Sequence, residues 1–299
     1  MSTTVTGRRS PNSSKNNLHG WAFSAPFLIF FLMFLVWPII HGLYMSFTGQ
    51  TLTGANNGFV GFANYGEAFG DPDMWRSLGN TIYFTVISTI PLVLIALVMA
   101  GLVNMNLPAQ WLWRFSFFVP FLLASTVVSQ FFLWMYNPQL GLINDALSTF
   151  GIAPVPWLND PNVAMWSIVI ATVWWTVGFN FLLYLAAMQN IPQQHYEAAS
   201  LDGAGGWRQF FSITLPQLGP TTVLIVILQV LASLKVFDQI YQITAGGPGG
   251  STRSLVQYVF ETGFTGYRLG YSAAISFIFF ALILLVSVSQ IFFNRNRSA

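Results

Sequence analysis

Of the 299 residues, 11 are Lys or Arg and 9 are Asp or Glu, so charged side chains make up 7% of the chain against 54% that are apolar. A water-soluble domain carries about 25% charged residues, and the shortfall excludes a soluble enzyme and a peripheral or lipid-anchored protein alike. The chain has no cysteine, which excludes disulfides, thiolate nucleophiles and thiolate metal ligands.

Residues 1–20 are polar, rich in Ser and Asn, and are expected to be disordered. Six nearly charge-free stretches follow, at 21–47, 81–103, 115–136, 163–190, 218–243 and 269–293, and together they hold two charges, Lys235 and Asp238. Each reaches the roughly 20 apolar residues that cross a bilayer as a helix. The first is about twice as long as a signal-peptide core and reads as a retained span. Pro38, Pro91 and Pro120 lie inside the first three, and Pro216 and Pro220 flank the start of the fifth. Each proline marks either a kink or a local packing shape. Ala96, Ala100 and Gly101 on the second stretch permit close helix approach. The loops at 48–80, 137–162 and 244–268 are each long enough for a short interfacial helix. The expected organisation is an all-α polytopic membrane protein with one six-span domain over 21–293, a polar segment before it and a tail at 294–299.

Orientation follows from the cations. With the N-terminus inside, Arg8, Arg9, Lys15, Arg114, Arg208, Arg295 and Arg297 are cytoplasmic, while Arg76, Arg253 and Arg268 lie outside. Seven against three favours cytoplasmic N- and C-termini.

The inner segment at 191–217, IPQQHYEAASLDGAGGWRQFFSITLPQ, carries the most information. Gln193–Leu201 has helix-forming composition, with Pro192 where a first turn tolerates it. Asp202-Gly203 breaks that helix, because glycine supplies the positive φ that a helix end needs. A second short helix is expected from about Gly206 to Ile213, ending before Pro216. Phe210 and Phe211 give it an apolar face, either for docking or for packing against the span ends.

Glu197-Ala198-Ala199, three residues, Gly203, nine residues, Ile213, one residue and Leu215-Pro216 resemble the "EAA loop" of binding-protein-dependent ABC importer permeases. Phe237-Asp238, Tyr241, Thr244, Gly246-Gly247-Pro248 and Thr252, with Val60-Gly61-Phe62 and Asn64-Tyr65 in the first outer loop, resemble the sugar-type members. Among these the chain is similar to the first permease subunit of maltose and glycerol-3-phosphate systems. Phe62 stands where the usual stretch has Leu. The extra N-terminal spans and large outer domain of the maltose-type subunit are missing, which favours the compact six-span relatives. The resemblance implies the type I importer architecture, with the loop serving as a coupling helix seated in a groove of a cytoplasmic ATPase. Glu197, Ala198, Ala199, Asp202, Gly203, Ile213, Leu215 and Pro216 are then the ATPase-coupling residues. It also implies the partners: a second permease subunit in a heterodimer, two copies of the ATP-binding subunit, an extracytoplasmic solute-binding protein and the lipid bilayer, with no nucleic acid.

No catalytic residue, metal site or cofactor is expected in this chain; ATP and Mg belong to the partner ATPase. The run Gly203-Ala204-Gly205-Gly206 lacks the Lys-Ser/Thr of a phosphate loop. His19, His41 and His195 have no metal-ligand spacing.

Uncharged polar residues at helical spacing inside a span avoid lipid and face neighbours or a cavity. Thr172, Thr176, Asn180 and Tyr184 form such a stripe on the fourth stretch beside Trp174 and Trp175, and Gln229 and Ser233 lie four apart on the fifth. With Ser125 on the third, the candidate substrate path is Ser125, Thr172, Trp175, Thr176, Asn180, Gln229 and Ser233. The other reading of these residues is helix-to-helix adhesion. Lys235 and Asp238, three apart near the outer end of the fifth stretch, are expected to face each other, as an outer gate or as a local ion pair. A carbohydrate suits neutral hydrogen-bonding groups beside aromatic rings, and glycerol-3-phosphate or a glycerophosphodiester is the alternative solute. A secondary transporter would want buried charges near the midplane, and an intramembrane enzyme would want clustered Asp or a His-Glu motif; the stretches contain neither.

Overall fold

The computed structural model describes residues 13–54, 56–105 and 108–295. The expected polar N-terminal segment lies outside them as far as residue 12; from Ser13 onward the backbone is helical. Apart from a two-stranded hairpin, β1 (Thr48–Gln50) with β2 (Asn56–Phe59), the regular structure is helical.

Among the described residues four helical segments are long and apolar enough to cross a bilayer, and two bent helix pairs bring the number to six if each pair is one span. The first begins as α1 (Ser13–Phe31), widens through a π-helical turn at Leu32–Val36 and continues as α2 (Trp37–Ser46). The wide turn sits just before Pro38, whose missing N–H cannot serve the usual carbonyl one turn back. The second is α4 (Pro72–Asn104), preceded by the short α3 (Ala63–Gly70). It starts nine residues before the apolar stretch and passes through Pro91 without a break. The third is not one helix. α5 (Gln110–Phe118) passes into a 3₁₀ turn at Val119–Leu122, and α6 (Ser125–Met135) leaves at 95°. Pro120 lies in that turn, and Leu123 and Ala124 are extended, so the ladder stops there. α7 (Leu142–Thr149) lies in the second outer loop, and α8 (Ala164–Gln189) forms the fourth span.

The fifth also departs from a straight span. Its inner part is the elbow described below, its middle is α12 (Gly219–Leu234), and α13 (Asp238–Ile243) follows a break at Lys235–Phe237. Lys235 therefore lies in the break and Asp238 opens α13; both are exposed, and they make no ion pair with each other. The expectation that they face one another on one helix fails because the helix ends between them. α14 (Leu255–Phe260), a π-helical turn at Glu261–Thr265 and α15 (Leu269–Arg295) complete the described chain.

The core is built on α4 and α8. Ala96 and Ala100 are fully buried beside Phe181, Tyr184 and Leu185, so small residues on α4 do admit α8 closely. The first span meets the rest of the subunit through α2 and α15.

The ends of the helices on the side of the hairpin are tied by polar bonds between distant parts of the sequence. Asn64 donates to the Ser46 and Thr48 carbonyls at 2.9 and 3.0 Å, which fixes the first span against the hairpin. Asp71 caps α4 by accepting from the Asp73 amide at 2.9 Å, and its second oxygen accepts from the Tyr258 and Tyr271 hydroxyls. Arg268 forks onto Glu67 at 2.6 and 2.7 Å, and Arg253 reaches Asp73 at 2.9 Å. Burial raises the Asp71 carboxyl, but bonds from Tyr258, Tyr271 and the backbone outweigh it and hold it below its usual value. Burial first, and then the bond to Asp71, push the Tyr258 hydroxyl up to about 12, which keeps it a donor.

A lowered native carboxyl value means that the tie is complete above the ordinary 3.8 and is lost as pH falls through the lowered value. Asp71→Asn should destabilise the detergent-solubilised subunit by about 1 kcal/mol, the scale for a half-exposed carboxylate. Fluorescence-detected unfolding between pH 7 and pH 3 should show the parent converging on the variant at the acid end.

Candidate functional site

Two places gather polar chemistry: the inner elbow between the fourth and fifth spans, and a chain of hydrogen bonds in the middle of the bundle. The elbow starts at Pro192, the N-cap of α9 (Gln193–Leu201), whose bounds are those expected from composition. Asp202 is its C-cap, and Gly203 follows with φ +75°, a conformation that a Cβ strains. The chain then re-enters helix as α10 (Gly206–Gln209), a π-helical turn at Phe210–Thr214 and α11 (Leu215–Gln217). The second helix thus runs on through Pro216 instead of stopping before it. A widened turn ahead of Pro216 absorbs the missing N–H, as it does ahead of Pro38. At Leu218 the path bends by 62° into α12.

Glu197, Ala198 and Asp202 are exposed, as are Gly203 and Pro216; Ala199, Ile213 and Leu215 are half-buried. Glu197 makes no ion pair among the described residues. Leu201 is 91% exposed and Trp207 is 73% exposed, and the Trp207 ring stacks on Phe211 with centroids 6.2 Å apart. The two phenylalanines divide the roles left open between them. Phe211 stays exposed, whereas Phe210 packs into the α4–α8 core with its ring over Gly101, where an added Cβ would lie 3.1 Å from it. A crevice of about 820 Å³ separates the elbow from the ends of α4 and α8, lined by Leu102, Met105, Met188, Tyr196 and Phe210.

In mid-bundle, Asn180 Nδ2 donates to Gln229 Oε1 at 3.0 Å and Gln229 Nε2 donates to Ser233 Oγ at 3.0 Å. Ser233 Oγ then meets Ser88 Oγ at 3.2 Å, so a buried chain of polar groups joins α8, α12 and α4. Thr172 and Thr176 turn their hydroxyls onto their own helix, to the Ile168 and Thr172 carbonyls at 2.8 Å. Tyr184 donates to Thr222 at 3.1 Å. Trp175 Nε1 donates at 3.1 Å to the Leu123 carbonyl, one of the groups freed by the break in the third span. Ser125 is half-buried in the first turn of α6. The structure therefore brings Asn180, Gln229 and Ser233 together; Thr172, Thr176, Trp175 and Ser125 do not join that chain.

A second stripe, absent from the sequence reading, runs down α4: Ser77, Thr81, Thr85 and Ser88, all buried. Thr81 Oγ1 donates to the Ser77 carbonyl and accepts from the Leu255 amide at 2.9 Å, which holds the start of α14. Its signal is the same helical spacing of hydroxyls that marked α8. Among the described residues no three His, Cys, Asp or Glu side chains gather as a metal site.

A family model described as the binding-protein-dependent transport system inner membrane component matches residues 73–298. The chain is 36% identical over 274 residues to the sulfoquinovosyl glycerol transport system permease protein SmoG of Agrobacterium fabrum, covering 91% of this chain and 89% of that one. It is 34% identical over 283 residues to the sn-glycerol-3-phosphate transport system permease protein UgpA of the same organism, covering 94% and 96%. In fold it superposes with a TM-score of 0.84, at 23% identity and over 94% of this chain and 96% of the other, on a bacterial ABC transporter involved in the import of the acidic polysaccharide alginate.

Removing one member of the polar chain leaves its partner unpaired. Gln229→Leu and Asn180→Leu should each destabilise the subunit by about 1–2 kcal/mol, and the double variant should lose less than the sum. Thermal unfolding of the four proteins in one detergent measures the coupling.

Proposed function

The chain belongs to the binding-protein-dependent transport system inner membrane component family, and on that footing we propose that it is one permease subunit of an ATP-driven importer for a carbohydrate. It spans the inner membrane with both termini cytoplasmic, the side favoured by seven of its cations against three. It pairs with a second permease subunit, rests on two copies of a cytoplasmic ATPase that hold ATP and Mg, and receives its solute from an extracytoplasmic binding protein.

The observation that carries this reading is the elbow. An exposed helix bearing Glu197, Ala198 and Ala199 ends at a glycine with positive φ, and the returning helix leaves Trp207 and Phe211 uncovered. Exposed apolar groups rimmed by polar ones mark a protein docking surface. Two small alanines let a helix sit deep in a groove, and Glu197, which makes no ion pair among the described residues, is available to a cation there. Asp202 and Gly203 set the turn, while Ile213, Leu215 and Pro216 carry the return helix to α12.

The solute path is assigned to the polar residues around α8 and α12: Ser125, Thr172, Trp175, Thr176, Asn180, Gln229 and Ser233. Asn180, Gln229 and Ser233 satisfy one another in the described conformation. A polyhydroxylated solute offers the same donors and acceptors, so it exchanges with those bonds at low net cost when the helices part. The six apolar stretches contain one cation, Lys235, at the outer end of α12. That absence of mid-span positive charge favours a sugar over a phosphate ester. Lys235 and Asp238, exposed at the break after α12, are placed at the outer rim of the path.

Glu197→Lys should abolish co-purification of the ATPase while leaving membrane insertion intact; normal docking and normal uptake would overturn the assignment. Because the chain has no cysteine, Thr176→Cys can be probed with a water-soluble maleimide without background. Its labelling in the assembled transporter should change with nucleotide, whereas Ile170→Cys, on an exposed face of α8, should not respond. Equal behaviour at both positions would remove the path assignment.

A further inference from the structure

The elbow contains bonds that the recognised spacing does not include. Gln209, the last residue of α10, sends its amide back across the turn: Nε2 donates to Ser200 Oγ at 2.9 Å and to the Ala204 carbonyl at 3.0 Å. Ser200 Oγ donates onward to the Tyr196 carbonyl at 2.8 Å. The last turn of α9, the connecting loop and α10 are thereby closed into one set. A primary amide has two N–H donors on one nitrogen, and both are engaged. Further from the vertex, the Tyr196 and Thr214 hydroxyls share a bond of 2.9 Å, and Gln217 Nε2 meets His195 Nδ1 at 2.9 Å.

Without such struts the vertex is soft. Gly203, Gly205 and Gly206 lie there, and glycine has the widest backbone freedom of any residue. None of the three has a non-neighbouring atom within 4 Å of where its Cβ would stand, so packing does not stiffen them. The output of the elbow lies one residue beyond Gln209, where Phe210 places its ring on Gly101 of α4. Successive helical residues are set about 100° apart, so fixing Gln209 fixes the direction of Phe210.

We propose that Gln209 is a positioning residue for energy coupling: its amide locks α9 to α10, so that a displacement of the docking helix reaches Gly101 and moves α4 instead of being absorbed by flexing at Gly203. The inference rests on the reading of the elbow as the ATPase dock and concerns how that dock transmits motion. Ser200 and Ala204 supply the acceptors, and Tyr196–Thr214 sets the same angle further out.

The test uses the full transporter in lipid nanodiscs. Spin labels on Gln194→Cys and Ser212→Cys report the elbow angle. Labels on Ser212→Cys and Gly79→Cys, the latter at a site with nothing within 4 Å of an added Cβ, report the elbow against the outer end of α4. Gln209→Met keeps the side-chain length and removes both donors. It should broaden the first distance distribution, and it should reduce the fraction of molecules that shift the second distance with ATP and vanadate by about tenfold. The ATPase should stay bound and hydrolyse ATP within about twofold of the parent. Gln209→Glu, which loses the bond to the Ala204 carbonyl but can still accept from the Ser200 hydroxyl, and Ser200→Ala, which spares the Ala204 bond, should each fall between Gln209→Met and the parent. An unchanged narrow first distribution overturns the proposal, because the vertex is then held by other contacts. Loss of the ATPase from the Gln209 variants in proportion to the lost shift also overturns it, because the residue then serves folding alone. A parent transporter that retains no ATPase, or shows no shift with nucleotide, overturns the docking reading together with the proposal, and is recognised with no change at Gln209.

Discussion

Hydrocarbon supplies no hydrogen bonds, so every polar group that enters it has to find a partner inside the chain. Much of the described architecture can be traced to that demand. Proline takes a donor away, and the backbone answers with a widened turn ahead of Pro38 and ahead of Pro216. Where the third span breaks, the freed Leu123 carbonyl is met by the indole of Trp175. Hydroxyls on α4 and α8 turn back onto their own helices, and the longer amides of Asn180 and Gln229 reach across to each other. Charged groups are kept to the ends, where Asp71, Glu67, Arg253 and Arg268 tie loops that face water.

The demand has a mechanical corollary. A helix interface sealed by neutral polar groups is held by bonds that any other neutral polar group can replace. Purely apolar packing between α8 and α12 would separate without offering a hydroxylated solute anything to bind. A charged pair in the same place would be costly to separate. Amide and hydroxyl groups stand between these limits.

How much of this was legible in the sequence depended on the range of the interactions. The apolar stretches, the outer-loop helices and α9 with its glycine stop depend on neighbours a few residues apart, and periodicity and composition disclose them. The bend at Pro120 was only half legible: a proline signals that a ladder can break, but not whether a turn absorbs it, as Pro91 shows by lying in an unbroken α4. The pairing expected of Lys235 and Asp238 assumed continuous helix, and the break between them removed it. Asp71 was invisible, because its tyrosine partners lie 187 and 200 residues away. Gln209 was overlooked because the family spacing singles out residues around it, and a glutamine in a polar loop between spans looks like any solvated side chain. Asn64, by contrast, was quoted only as part of a resemblance, and its bonds to the Ser46 and Thr48 carbonyls give that match a physical cause.

The 33 residues of α4 make a rod about 50 Å long. It is pinned at its outer end by the Asp71 cap and its tyrosines, and borne upon at its inner end by the ring of Phe210. With the Asp71 end fixed, a rod of that length acts as a lever about that end. A tilt of about 5° about a fixed outer end carries the inner end of a helix of that length through about 4 Å, roughly the width of a methylene chain. A small tilt of such a helix is thus a lateral displacement of atomic size at the end that meets Phe210.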